Sequence, residues 1–252
     1  MGRKCAVQRL GLVDYEQAWQ YQDRLAAEIA RGERPATLLL LEHPHTYTFG
    51  RSGHEQNLLW NEEERMRRGV RVYWVDRGGD ITYHGPGQLV GYPLLPLAPG
   101  GLQASRPHMP QADYVGYLRK LEATLIEALL RLGVVSGQVE GLTGVWVQAD
   151  VPSRCISCPP GQRQPLAKIA AIGVKVDVNG ISRHGFALNV NPDMEYWQGI
   201  VGCGIKDHPV ASLADLLNPP PEMEQVTQVV VEAFGEVFGY EMVEDGDLMQ
   251  GV

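Results

Sequence analysis

A chain of 252 residues, 44% hydrophobic and 21% charged, is long enough to bury one large core or two smaller ones. Its formal charge of −8 disfavours general nucleic-acid binding, which needs a basic surface. No apolar run of about 18 residues is present to span a membrane, the start MGRKCAVQRLG lacks the apolar centre of a secretion signal, and four cysteines are too few for a disulfide scaffold, so a reducing cytoplasm is the expected compartment.

Ala6, Gln8 and Leu10 alternate as a first strand would. Asp14 opens a helix with apolar positions at Tyr15, Ala18, Trp19, Leu25, Ala26 and Ile29, broken at Gln22. Asp14 with Gln17 forms a capping box there, and Gly32 is the stop. TLLLLEH, residues 37 to 43, is an apolar run between Pro35 and Pro44 and predicts a buried strand. Asn61 and the acids Glu62, Glu63 and Glu64 predict a short helix ended by Gly69, then a strand over residues 70 to 76.

After a Pro/Gly-rich loop, Tyr114, Leu118, Leu121, Leu125, Ala128, Leu129 and Leu132 repeat every three or four residues and predict the longest helix. Residues 144 to 148 predict a strand and residues 150 to 165 a surface insertion. Two further strand-like runs meet at Asn179-Gly180, a dipeptide suited to a tight hairpin turn. Helices are expected over residues 213 to 217 and 221 to 238. Strands come in clusters with helices inserted, which predicts an α+β fold with a mixed central sheet and flanking helices, as a single domain over residues 1 to 252.

The densest unusual stretch is RGGDITYHGPGQLVGYPL, residues 77 to 94. Its glycines allow close backbone approach to a ligand, and Arg77 adds a fork of donors. Neither nucleotide-binding glycine spacing is present, so it reads as a ligand-facing loop or a pair of hairpin turns. His84 and His184 are each a candidate base, a donor to a carbonyl, or a satisfied buried side chain. In KIAAIGVKV, strict alternation puts Lys168 on the apolar face with Ala170, Ile172, Val174 and Val176, where desolvation makes a lysine a base near neutrality. The bland alternative is a strand-end lysine reaching out to solvent.

Cys155 and Cys158 lack a second pair for a metal site and read as an incidental loop, and Cys5 reads as packing. Cys203 differs. Two glycines flank it on an accessible turn, where a thiolate can be approached, provided that a neighbouring base or positive charge activates it.

Together HPHTYTFGR, RGGDITYHGPGQLVGYP, GVWV, KIAAIGVKV, HGFALNVNPD and IVGCGI resemble the lipoyl(octanoyl) transferase family, in its order, across about 160 residues. The resemblance implies a fold like that of the biotin and lipoate protein ligases. It implies transfer of octanoyl from octanoyl-acyl carrier protein to a lysine of lipoyl domains, in 2-oxo acid dehydrogenase complexes and the glycine cleavage H protein. No cofactor and no metal are implied. Cys203 is then the acyl-thioester residue and Lys168 its activator. Substrate contacts fall to Arg77, Gly78, Gly79, Asp80, Ile81, Thr82, Tyr83 and His84, to Ala171, Ile172 and Gly173, and to Gly185, Phe186 and Ala187.

The chain departs from the family in Gly202, where proline is usual, in Ala211-Ser212 for threonine-serine, and in one extra residue between Lys168 and His184 that predicts a register shift. Backbone N–H groups at Gly78, Gly79 or Gly204 are the expected oxyanion donors. An acidic carrier approaching an acidic chain would need the basic cluster Arg65, Arg67, Arg68 and Arg71 for docking. Two other activities suit the same residues: an ATP-dependent lipoate or biotin-type ligase, and a non-catalytic acyl-binding protein.

Overall fold

The computed structural model describes residues 3–97, 113–148, 166–202 and 209–245. The strands are β1 (Arg3–Leu12), β2 (Ala36–Glu42), β3 (Thr46–Phe49), β4 (Arg71–Trp74), β5 (Ile81–His84), β6 (Gln88–Leu94), β7 (Gly137–Val139), β8 (Leu142–Gln148), β9 (Leu166–Val176), β10 (Ser182–Asn189) and β11 (Tyr240–Glu244). The helices are α1 (Tyr15–Ala30), α2 (Glu62–Arg67), α3 (Tyr114–Arg131), α4 (Leu213–Leu216) and α5 (Met223–Phe238). A mixed eight-stranded sheet runs in the order β11-β1-β2-β6-β10-β9-β8-β7, beside a three-stranded sheet β4-β3-β5. The α+β expectation therefore holds.

The apolar run of β2 reflects a strand covered on both faces. Leu38 and Leu40 enter a core with Leu121, Leu125 and Leu129 of α3 and Val230 and Phe234 of α5. Leu39 and Leu41 enter a second core with Ala18, Leu25 and Ile29 of α1. A third cluster lies against the small sheet, where Tyr47, Phe49, Ile81 and Tyr83 meet Ile200 and, at its edge, Trp60, Tyr196 and Trp197.

The helix ends follow the sequence closely. Asp14 caps α1, but it accepts from the Glu16 N–H, and its other oxygen takes Arg71 rather than completing a box with Gln17. Asn61 caps α2 through the Glu64 N–H, and Gly69 ends the turn at φ +67°. The β9–β10 hairpin differs from the expected Asn-Gly turn. A hydrogen bond from the Gly180 N–H to the Asp177 carbonyl closes it, Asp177 Oδ1 also takes the Asn179 and Ile181 N–H groups, and of the turn residues Gly180 alone has positive φ. Asp177 thus organises the turn by an Asx contact.

The glycine-rich stretch is mostly strand. Its β-branched and aromatic residues form β5 in the small sheet and β6 in the large one, with Gly85–Gly87 as the link. The extra hairpin residue causes no slip, since β10 pairs regularly with β9 from Ser182–Val176 to Leu188–Ala170. The irregularity lies on the other side of β9. Val145 faces Ala170 while Trp146 faces Lys168, which leaves Ile169 as a β-bulge.

Candidate active site

The bulge overturns the expected placement of Lys168. Ala167, Ile169 and Ala170 all join the core under α3 and α5, so Lys168 turns to the opposite face. There it is buried, with Nζ 4.7 Å from the centroid of the Trp146 ring. Its backbone is fixed from the far side: Lys168 N–H donates to the Pro209 carbonyl at 2.9 Å, and its carbonyl accepts from Ala211 N–H at 3.0 Å.

Cys203 and Gly204 lie outside the described residues, as do Cys155 and Cys158. The chain on both sides of Cys203 is described. Upstream, Ile200 bridges Leu58, Val201 N–H donates to the Asn57 carbonyl, and Gly202 abuts the Trp197 ring. A Cβ at Gly202 would lie 3.0 Å from that ring, so a larger residue there requires Trp197 to give way. Downstream, Val210 bridges Lys168.

Beside Lys168 along β9 is a cavity lined by three segments: Arg77, Gly78, Gly79, Asp80, Thr82 and His84; Ala171, Ile172 and Gly173; and Gly185, Phe186 and Ala187. Tyr15, Tyr92 and His184 complete the wall. Ile81 and Tyr83, also expected at the substrate, point the other way into the small-sheet core, as strand alternation in β5 requires. Tyr15 and Tyr92 are wall residues that the sequence does not reveal, because an aromatic at a core-facing position carries no mark of a ligand. His184 was marked by its glycine neighbour.

Close approach shapes this wall. The Gly78 N–H donates to the Val174 carbonyl at 3.0 Å, pinning the Arg77 arm across β9. A Cβ at Gly173 would lie 3.0 Å from Arg77 Cδ and 3.1 Å from the Gly78 carbonyl oxygen. That bond also occupies Gly78 N–H, which removes it from the expected oxyanion donors. Arg77 is buried and donates to the Thr48 carbonyl and hydroxyl. Asp80 turns its carboxylate away, to the His54, Ile81 and Asn57 N–H groups.

The buried histidines are neutral. Burial pushes His84 well below its ordinary pKa. Its Nδ1–H donates to Gln88 Oε1 at 2.8 Å, and Nε2 faces the Thr48 hydroxyl at 3.5 Å. His84 is therefore a poor base, although it keeps its place in the cavity wall. His43, behind it, is pushed down to about 4 by burial, with Nδ1–H on the Val13 carbonyl and Nε2 taking the Tyr92 hydroxyl. Burial pushes Tyr15 up to about 12.

His184 is lowered by burial against the opposing pull of Asp76, whose Oδ1 lies 2.8 Å from Nε2. With Nε2–H committed to Asp76, Nδ1 keeps its lone pair and has no hydrogen-bond partner among the described residues. His184 also has φ +56°, a left-handed conformation rare for a side chain of its size. Burial opposes ionisation of Asp76, but His184 and Lys175 outweigh it and hold the carboxyl well below the usual range.

The expected basic patch is largely neutralised. Arg67 and Arg68 share Glu64, Arg68 also reaches Glu195 and stacks on Trp60, and Arg71 pairs with Asp14. Among the described residues no cluster of His, Cys, Asp or Glu is arranged to hold a metal ion, and no helix is long and apolar enough to cross a membrane.

Residues 14–235 match the lipoyl protein ligase A/B catalytic domain. The chain is 42% identical to an octanoyltransferase of Chloroflexus aurantiacus over 239 residues, 95% of this chain and 96% of that protein. It is 39% identical to an octanoyltransferase of Solibacter usitatus, covering 98% of each. In fold it is similar to a bipartite lipoate protein ligase of Thermoplasma acidophilum, reported with its E2 lipoyl domain, with a TM-score of 0.64, 15% identity, and coverage of 97% of this chain and 87% of that one. By its matched residues and its full-length relatives, the chain belongs to the octanoyltransferases of the lipoyl protein ligase A/B catalytic family.

Proposed function

We propose that this chain, as one catalytic domain, transfers octanoyl from octanoyl-acyl carrier protein to a lysine of apo lipoyl domains through a thioester on Cys203. It is an acyltransferase, as its octanoyltransferase relatives indicate. The acceptors would be the lipoyl domains of 2-oxo acid dehydrogenase complexes and the glycine cleavage H protein. The lipoyl domain named with the Thermoplasma ligase supports that acceptor class. A reducing compartment, the cytoplasm, suits a free thiol nucleophile.

One observation carries the reading. Lys168 and the cavity residues Ala171–Gly173 share strand β9, and the chain returning from Cys203 is hydrogen-bonded to the backbone of Lys168 on both sides. A rigid element thus joins the proposed base to the proposed acyl-binding wall.

In the first half-reaction Lys168 takes the Cys203 proton, and the thiolate attacks the donor thioester. The new sulfur–carbon bond replaces the old one, and the departing carrier thiolate takes the proton from Lys168. In the second, the acceptor amine attacks the Cys203 thioester and gives up a proton to Lys168. The amide forms and Cys203 leaves as a thiolate. Gly79 and Gly204 N–H are the remaining candidates for the oxyanion, an interaction worth about 3 kcal/mol. Six buried methylenes would contribute roughly 5 kcal/mol to binding of the acyl chain.

Intact-mass measurement after incubation with octanoyl-acyl carrier protein tests this reading. An octanoyl adduct on Cys203 is expected, absent in Cys203→Ala and slower to form in Lys168→Ala. Full transfer by Cys203→Ala would exclude the Cys203 thioester route, and transfer that required free octanoate and ATP in place of the carrier thioester would point to an acyl-adenylate.

A further inference from the structure

Lys168 is a buried amine whose surroundings are defined by β8. Trp146 lies directly opposite it in the β8–β9 pair, so the two side chains share a face. The bulge at Ile169 puts Lys168 on that face, and its Nζ rests 4.7 Å from the ring centroid. Trp146 is only 2% exposed and Lys168 8%, so the contact is shielded from water. A cation over an indole face is held by the ring quadrupole, most strongly when desolvated.

Two neighbours keep this arrangement in place. Gly144, at φ +119°, leaves the space that the lysine stem fills: a Cβ there would lie 2.6 Å from the Ala170 carbonyl oxygen and 3.4 Å from Lys168 Cε. Glu122, the buried carboxylate of α3, takes the Gly144 N–H at 3.1 Å and Arg119 at 2.7 Å. No carboxylate among the described residues forms an ion pair with Lys168, whereas Lys175 on the same strand pairs with Asp76.

We propose that Trp146 is the positioning residue of Lys168, its ring face stabilising the ammonium formed when Lys168 takes the Cys203 proton. The proton passes from sulfur to Nζ, no electrons are exchanged, and the indole undergoes no covalent change. The ring supplies the compensation that a carboxylate would give elsewhere, without a negative charge that would oppose the thiolate. This inference rests on the thioester reading above.

The test is single-turnover acylation of Cys203 by octanoyl-acyl carrier protein, read by intact mass. The variants are Trp146→Phe, Trp146→Leu and a series with mono-, di- and trifluorotryptophan at this position alone. Fluorine withdraws electron density from the ring face with little change of shape, so a packing role predicts one rate throughout the series. The expected result is a stepwise fall with each fluorine, a roughly tenfold loss in Trp146→Leu, and an intermediate rate in Trp146→Phe. A flat fluorinated series in protein that acylates normally would overturn the role of Trp146 and leave the thioester route standing. Absence of an adduct on the wild-type chain would instead overturn the thioester route itself.

Discussion

Gln22 Oε1 accepts the backbone N–H of His184 at 2.8 Å, inside the interface between α1 and the sheet. Gln22 interrupts the apolar stripe of α1, yet it is 1% exposed. The polar residue in the stripe satisfies the N–H of a strand residue held at positive φ, so helix and cavity wall are coupled by one side chain. Gln22→Leu leaves that N–H buried and unpaired. The expected cost is about 1–3 kcal/mol in urea unfolding, with Gln22→Glu retaining part of the stability because it keeps an acceptor. A loss equal in both variants would mean that the hydrogen bond contributes little.

Burial of neutral histidines makes stability depend on pH. His43 is held at about 4, and His84 and His184 are also lowered by burial. The unfolded chain binds protons near pH 6.5, where the folded chain does not, so acid favours unfolding. The stabilisation is fully present above about pH 6.5 and is lost as the pH falls toward the folded values. His43 alone accounts for on the order of 3 kcal/mol between pH 6.5 and about 4. Urea midpoints should therefore fall across this window, and His43→Asn should show a shallower slope. An unchanged slope in that variant would place the acid sensitivity elsewhere.

Two glycines of the wall should respond differently to alanine. At Gly185 the new Cβ would lie 2.1 Å from the Gly91 carbonyl oxygen and 2.6 Å from Pro93 Cδ, both held in the β10–β6 region. Backbone cannot yield cheaply, so Gly185→Ala should lose about 2–3 kcal/mol or fail to fold. At Gly173 the contacts are looser, 3.0 Å to Arg77 Cδ and 3.1 Å to the Gly78 carbonyl oxygen, so the neighbours need give only a few tenths of an ångström and the fold should survive. The displaced Arg77 arm should instead raise KM for the acyl donor, measured in steady state, with the melting temperature within a few degrees of wild type.

Much of this geometry was written locally, and the parts that were not depended on a partner strand. The β2 run of leucines announces a strand covered on both faces, and the Asp14 and Asn61 caps fix two helix starts. By contrast, Ile81, Thr82 and Tyr83 are crowded by glycines and read as loop until β3 offers them a ladder. Strict alternation puts Lys168 on the wrong face because a bulge is a property of two strands in register, and the sequence of β9 alone carries no sign of it. The three cavity segments were recognisable by family resemblance, whereas Tyr15 and Tyr92 look like ordinary core aromatics. The pairing of Arg67 and Arg68 with Glu64 is legible at helical spacing, whereas Glu195 and Asp14 are distant in sequence from Arg68 and Arg71 and leave no local sign of their contacts.

That neutralisation changes the expected site of carrier docking. Arg67 and Arg68 are held by Glu64, and Arg71 by Asp14, so of the four arginines Arg65 alone has no ion pair among the described residues, and its half-buried side chain is turned to the Trp60 carbonyl. Arg51 is exposed, has no ion pair among the described residues, and follows β3 at the cavity rim, where its N–H donates to the Arg77 carbonyl at 2.9 Å. An exposed cation with no ion pair among the described residues, beside the cavity proposed to take the acyl chain, is the better placed contact for an acidic carrier. Arg51→Glu should raise KM for the carrier-bound donor by roughly tenfold at low salt, with the difference from wild type shrinking as ionic strength screens it. Arg67→Glu should stay within about twofold of wild type, because Arg67 sits among Glu62, Glu63 and Glu64 of its own helix and adds little net positive potential there. Measuring both variants across a salt series separates the two surfaces. A larger, salt-sensitive effect at Arg67 would return the docking role to α2.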